Sequence, residues 1–276
     1  MLKLILGRAG SGKTTAVIGR ICRAGQERPQ LLLVPEPQSH ETERALCAAG
    51  GDGISLYAEV LSFRRLGDRV LSQLGGIAAP ELDGGGRILL MHRAGKESLP
   101  ALTVYARPSR RPAFLKALLA TADELKSCQV LPEQMLKAGE ETAGSDGEKL
   151  HDLGLILSAY DGLTGQIALD PRDRLTRAAE KLTGSGWAAG KDVWLDGFTD
   201  FTPQELAVLR PLLRQSGSVT VTLTCDKQEE DEDGTGIFSP ARRTAARLLR
   251  LAREEGVGAE VERLTVPAGA RVPGLE

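Results

Sequence analysis

The feature that most constrains this chain is Gly7-Arg8-Ala9-Gly10-Ser11-Gly12-Lys13-Thr14, which fits the pattern G-x-x-x-x-G-K-[ST]. The pattern carries chemistry only where a strand leads into it and a helix leads out. Lys3–Leu6 is a short, mostly apolar run that reads as a buried strand, and Gly12 to Arg23 reads as a helix. A strand, a glycine-rich turn and a helix in that order need parallel neighbours, so the chain is expected to be α/β. The residue types suit a polyphosphate. Glycines lack the Cβ that would hold it off, and the loop N–H groups and the helix N-terminus favour negative charge. Lys13 adds a point charge for the β/γ oxygens, and the Thr14 hydroxyl offers one magnesium position. The candidate nucleotide-binding residues are therefore Gly7, Arg8, Ala9, Gly10, Ser11, Gly12, Lys13, Thr14 and Thr15, with ATP and Mg²⁺ as the expected ligands. The bland alternative is an ordinary glycine-rich turn, against which the strand and helix on either side argue.

Further strands follow the same logic. Leu31–Val34 is an apolar run stopped by Pro35 and Pro37, and Ile54–Tyr57 is a weaker candidate. Ser39 is placed to N-cap a helix, and Ser62 another that ends before Gly75-Gly76. Strand signals return late, at Val193–Asp196, Val219–Thr224 and Val261–Thr265. Thr202-Pro203-Gln204-Glu205 has the form of a capping box with proline at the first helical position. Ser239-Pro240 opens a last helix that Gly256 closes, and Asp226–Gly236 reads as an acidic surface loop.

Between these flanks the period changes. Pro112–Lys126 carries Phe114, Leu115, Leu118, Leu119, Ala122 and Leu125 on one helical face, and Gly147–Ile167 and Pro171–Leu182 look similar. The expected organisation is one nucleotide-binding domain from residues 1–77 and 190–276, interrupted by an all-helical insertion over 78–189.

Val193-Trp194-Leu195-Asp196 puts an acid at the carboxyl end of a strand, where open α/β sheets collect ligands. Asp196 is the candidate partner of Thr14 for magnesium, through water. An ordinary strand-end aspartate capping a turn is the competing reading. The following residue is Gly197, which offers no base to activate water, and Glu205 is committed to the capping box. Hydrolysis is therefore expected to be slight, and if Gly197 is the cause, Gly197→Glu is the substitution expected to raise it in the full-length protein.

Composition excludes little. A net charge of −2, from 35 basic and 37 acidic side chains, neither supports nor opposes a nucleic-acid partner, because a basic groove can lie on a neutral protein. Cys22, Cys47, Cys128 and Cys225 have no metal-ligand spacing and read as small hydrophobes in a reducing compartment. No stretch reaches the ~18 apolar residues of a membrane span, and the N-terminus does not read as a signal peptide. The expectation is a soluble cytoplasmic protein.

Taken together, four segments resemble the N-terminal region of the B subunit of bacterial AddAB-type (RexAB) ATP-dependent helicase–nucleases. They are the loop from Gly7 to Thr14, Leu33-Val34-Pro35-Glu36-Pro37-Gln38, Val60-Leu61-Ser62-Phe63-Arg64-Arg65-Leu66, and the stretch from Asp196 to Glu205. The resemblance covers essentially the whole chain, the helical middle only in character. It implies a RecA-like, superfamily-1-like first motor domain with a helical insertion. It implies further that a second RecA-like domain, which would bring an arginine to the nucleotide, and a nuclease domain with an iron–sulfur cluster follow beyond Glu276. It also implies an A-type motor subunit as partner, single-stranded DNA as ligand, and a part in reading the Chi sequence. Carried over by motif, Gln38, His40, Phe63, Arg65, Phe198 and Phe201 are candidate DNA contacts, by stacking or by reading base edges. Asp68 departs from the pattern, where relatives often have a larger aromatic. Arg107, Arg110 and Arg111 form a basic knot in the insertion that is either a DNA contact or an exposed loop.

The leading reading is a nucleotide-binding, motor-inactive helicase-like domain that holds DNA. A working ATP-driven motor is the first rival, which Gly197 opposes. A small-molecule kinase is the second, for which a roughly 110-residue helical insertion makes a poor lid.

Overall fold

The computed structural model describes residues 1–78, 80–227 and 235–265, apart from the side chain of Arg110. Along the chain the elements are β1 (Leu2–Gly7), α1 (Lys13–Ala24), β2 (Gln30–Leu33), α2 (Ser39–Gly50), β3 (Ala58–Leu61), α3 (Phe63–Leu74), α4 (Gly84–Ser98), α5 (Pro112–Ser127), α6 (Pro132–Glu141), α7 (Ser145–Ile167), α8 (Arg174–Thr183), β4 (Asp192–Leu195), α9 (Pro203–Gln215), β5 (Ser218–Thr224), α10 (Ser239–Glu254) and β6 (Ala259–Arg263). They form two compact units. One holds Met1–Leu74, Arg177–Phe201 and the described residues from Glu205 onward; the other holds Gly75–Thr176 and Thr202–Gln204. No helix among the described residues is long and apolar enough to cross a membrane.

In the first unit six strands make one parallel sheet in the order β3-β2-β4-β5-β1-β6. Strand β2 is apolar on both faces, as fits a parallel sheet covered by helices on both. Leu31, Leu32 and Leu33 of β2 are all buried. On one face α1 and α2 bring Val17, Ile18, Ile21 and Leu46 against Ile5, Leu32, Val60 and Trp194. The Trp194 indole keeps its polar handle satisfied, donating to Gln30 Oε1 at 2.7 Å. The outer strand β6 carries exposed Glu260 and Glu262 on either side of half-buried Val261, and charge on an edge discourages further pairing. Because every strand runs the same way, the loops after β1, β2, β3, β4 and β5 all gather at one end of the sheet.

The second unit packs α4, α5, α6 and α7 around Met91, Ala94, Leu118, Ile156 and Tyr160. Its helices α6 and α7 approach through glycine. A Cβ on Gly147 would stand 2.8 Å from Gly139 O. A buried polar network holds the base of the unit. Arg87 pairs with Asp123 and Asp170, and the Tyr160 hydroxyl donates to Asp170 Oδ2 at 2.8 Å. Burial and the Asp170 charge push the Tyr160 hydroxyl well above its ordinary pKa, so it remains a donor. A parallel bridge between Glu81 and Leu169 clips together the chain entering and leaving the unit.

Several local expectations need correction. The weaker strand candidate at Ile54–Tyr57 is instead a 3-10 turn over Asp52–Leu56, and the strand is Ala58–Leu61. Ile54 folds down where Gly50 has no side chain, leaving Leu56 78% exposed, so the chain reaches the sheet four residues late. Ser39 does not cap α2. The chain is already turning through Glu36–Gln38, Gln38 holds the cap position at φ −92°, and the Ser39 hydroxyl is buried without a partner. Ser62 does cap α3, accepting from Arg65 N at 3.3 Å. The last strand lies at Ala259–Arg263, two residues earlier than expected. Most of the acidic loop of 226–236 lies outside the described residues. The helical unit ends at Thr176 rather than residue 189. The end of α8 lies with the sheet unit, tied to α9 by Gln215, whose amide donates to Leu182 O at 2.6 Å.

Candidate nucleotide and nucleic-acid site

The loop after β1 is tight because its glycines let it be. Gly10 and Gly12 have φ of 75° and 79°, a region that side chains disfavour. A Cβ on Gly7 would stand 2.3 Å from Ser11 Oγ. The Lys13 ammonium folds across the loop and donates to Gly7 O at 2.8 Å and Arg8 O at 3.0 Å. Burial lowers its pKa, while Asp196 and the Cys225 thiol pull the other way. Thr14 faces Asp196, and its hydroxyl donates to Oδ2 at 2.6 Å. The other carboxylate oxygen accepts from Thr222 on β5, the strand that lies between β4 and β1. Residues 9–15, Asp196, Gly197, Phe198, Thr199, Thr222 and Thr224 line a cavity of about 480 Å³.

Two observations fit a magnesium nucleotide here. Ser11 Oγ is buried in the loop with no hydrogen-bond partner. Thr14 and Asp196 give one hydroxyl and one carboxylate, a hard oxygen pair suited to magnesium. Among the described residues no group of three or more His, Cys, Asp or Glu is placed to hold a metal ion. A cation at this pair therefore needs phosphate oxygens and water for its remaining positions.

No other acid lines the cavity among the described residues. Asp200 is turned to structural use, accepting from Phe201 N at 2.7 Å and from the Thr244 hydroxyl at 3.2 Å. Gly197 has φ +81°, and a Cβ there would stand 2.3 Å from Gln38 Oε1. This geometry counts against the expectation that glutamate at 197 would raise turnover, because the backbone there is strained for any other residue and the Gln38 side chain would have to move aside.

Gln38, His40, Phe63, Arg65, Phe198 and Phe201 follow the carboxyl ends of β2, β3 and β4, at the same end of the sheet. Phe63, Phe198 and Phe201 form one aromatic cluster. Ring centroids are 5.5 Å apart for Phe63–Phe198, 6.2 Å for Phe63–Phe201 and 5.1 Å for Phe198–Phe201. Phe63 and Phe201 are 6% and 2% exposed, so neither presents a free face for stacking. Phe198 is half-buried on top of them and also lines the nucleotide cavity. Gln38 and His40 are exposed after β2, and half-buried Arg65 faces Glu43 at 3.8 Å. In the other unit Arg107 and Arg111 are exposed around a short turn.

Sequence reasoning missed Thr222. It stood in a β-branched run read only as a strand, although the alternation of valine and threonine marks two faces. It also missed Phe238, which carries the Arg8 guanidinium 5.9 Å from its ring centroid, because loop residues far apart in sequence give no local signal.

Comparison with known proteins bears on the whole chain. A family model described as "ADDB, N-terminal" matches residues 4–272. The B subunit of the ATP-dependent helicase/deoxyribonuclease of Thermoanaerobacter sp. (strain X514) is 34% identical over 94% of this chain and 23% of its own length. The protein of the same name from Heliobacterium modesticaldum is 36% identical over 97% of this chain and 23% of its own length. That of Desulforudis audaxviator is 36% identical over 97% of this chain and 24% of its own length. The chain thus spans about a quarter of the curated relatives it matches. With the family match running through both units, the chain belongs to the AddB N-terminal family.

Proposed function

We propose that this chain is a nucleotide-binding, motor-inactive helicase-like region of a DNA-repair helicase–nuclease subunit. It holds single-stranded DNA, contributes to Chi recognition and works beside an A-type motor subunit. The observation that carries the reading is the Thr14–Asp196 pair at the mouth of a phosphate-binding loop, followed at once by Gly197. Lys13 and the loop N–H groups would hold the phosphates of ATP, and Thr14 and Asp196 would hold Mg²⁺, directly or through water. The bound cation would neutralise phosphate charge. Among the described residues no carboxylate at the cavity is free to activate water, since Asp196 is taken by Thr14 and Thr222 and Asp200 by Phe201 N and Thr244. Binding without brisk turnover follows.

The DNA half of the reading rests on the candidate contacts at the same end of the sheet. Phe198 offers the ring that remains for stacking, worth ~1–3 kcal/mol per base, and Gln38 and His40 offer hydrogen bonds. The names of the relatives support an ATP-dependent helicase/deoxyribonuclease as the setting. The test is titration of the chain with ATP, with and without Mg²⁺, beside a phosphate-release assay in the presence of single-stranded DNA. Magnesium-dependent binding with turnover near background is expected. Brisk DNA-stimulated release that Lys13→Ala abolishes would instead favour a working motor.

A further inference from the structure

Gly197 follows Asp196 on the turn that leaves β4, and its φ is +81°. A Cβ there would stand 2.3 Å from Gln38 Oε1, 3.2 Å from Gln38 Cδ and 3.3 Å from Pro35 Cδ. The Gln38 side chain thus fills the volume that any other residue at 197 would claim. Gln38 itself closes the short turn after β2 and is exposed. Among the described residues its carboxamide has no hydrogen-bond partner. It lies in the space left by a glycine, and its two N–H donors and its carbonyl acceptor are unspent. An amide in that condition is suited to the paired donor and acceptor on a base edge.

We infer that Gly197 is a positioning residue for base reading. Its missing side chain seats the Gln38 carboxamide for contact with a base of single-stranded DNA. The inference rests on the reading that this end of the sheet holds such a strand. It gives Gly197 a role beyond the loss of a water-activating carboxylate. The positive φ alone would not do so, because backbone strain at 197 is independent of what stands at 38. The collision is not, and that difference makes the idea testable.

The experiment is fluorescence anisotropy with labelled short homopolymers of dT, dC and dA. The chain is compared with Gly197→Ala, Gln38→Ala and the double variant, each checked for its fold by thermal unfolding. The readout is the ratio of tightest to weakest affinity, which a general loss of structure lowers far less than a loss of base contact. Each single variant is expected to shrink that ratio by about fivefold or more. The double variant should lose no further selectivity, since Gly197→Ala alters the ratio through Gln38 while its backbone strain bears on all three homopolymers alike. Additive losses, or a ratio retained in Gly197→Ala, would overturn the inference. Should Gly197→Ala fail to fold, Gln38→Leu keeps the volume without the hydrogen bonds, and a ratio retained there overturns it equally. If the unaltered chain binds ATP but none of the homopolymers, the DNA reading itself fails and the inference falls with it.

Discussion

Thr14 and Asp196 stand 182 positions apart in sequence, yet the Thr14 hydroxyl donates to Asp196 Oδ2 at 2.6 Å. The pairing exists because β1 and β4 are parallel, with only β5 between them, so the chain leaves both at the same end of the sheet. It places one magnesium-type oxygen pair beside a loop built for phosphate, and four of the predictions below turn on this site.

Lys13→Ala is expected to weaken ATP binding at least about tenfold, because a charge-assisted contact worth ~1.5–3 kcal/mol is lost. The ligand-free fold should barely notice. Burial depresses the Lys13 pKa. The charged amine therefore costs the fold something below its lowered pKa, and that cost fades as pH rises through it. Thermal unfolding without nucleotide should shift by no more than about 0.5 kcal/mol. A large loss of stability would mean that Lys13 serves structure rather than ligand.

The same depressed pKa predicts how binding depends on pH. Phosphate favours the ammonium, so nucleotide binding takes up a proton wherever the free protein has begun to lose it. Affinity should fall as pH rises through the lowered pKa of the free protein, earlier than for an exposed lysine. Titrations in buffers of different ionisation enthalpy would report the proton uptake on the alkaline side. The slope should vanish in Lys13→Ala; if it persists there, another group is responsible.

Asp196→Asn should remove the magnesium dependence of binding and little else. Asparagine keeps the shape, accepting from one of the Thr14 and Thr222 hydroxyls through its oxygen and donating to the other through its amide nitrogen, but it carries no charge for the cation or its water. ATP affinity measured with a chelator should match that of the unaltered chain. An unchanged magnesium effect in the variant would show that Asp196 only caps its neighbours.

How much of this was legible depends on how local each signal is. The loop from Gly7 to Thr14 and the acid closing β4 were readable, because each announces itself within a few residues. The shift of β3 to Ala58–Leu61 was not. Whether Ile54 or Val60 enters the sheet is decided by the space beside Gly50, which no short window contains. The aromatic candidates were found, but their directions were not. Phe63 and Phe201 turn inward because each packs edge-on or tilted against other rings, a tertiary fact. The Gln38–Gly197 approach joins two turns far apart in sequence and left no trace in either one.

In the helical unit, Asp152 is the residue whose loss should cost most. Its carboxylate is fully buried and accepts from the backbone N–H groups of Thr103, Val104 and Tyr105. Asp152→Ala leaves these donors without their acceptor, and about 3–5 kcal/mol of destabilisation is expected. ATP binding should survive at temperatures below the new transition, since Asp152 lies in a unit that does not contain the loop. Far-UV circular dichroism during heating, run beside a nucleotide titration, would check both halves. Unaltered unfolding would mean that water replaces the carboxylate.

The last prediction concerns turnover. The chain should release phosphate from ATP at near-background rates, with or without single-stranded DNA. No carboxylate other than Asp196 lines the cavity among the described residues, and Asp200 is held by Phe201 N and Thr244. Supplying one at 197 should not help. Glutamate there must adopt a positive φ, which costs ~1–2 kcal/mol for an L residue, and its Cβ meets Gln38. Pairing Gly197→Glu with Gln38→Ala removes the collision but leaves the backbone strain. Neither variant should exceed the unaltered chain by more than about tenfold, far short of the 10³–10⁵ by which a completed phosphoryl-transfer site gains. The measurement is single-turnover phosphate release, with Lys13→Ala as the control for contaminating activity. A Gly197→Glu variant that hydrolyses ATP briskly, and loses that activity when Lys13 is also replaced, would show that the glycine alone had kept the motor silent.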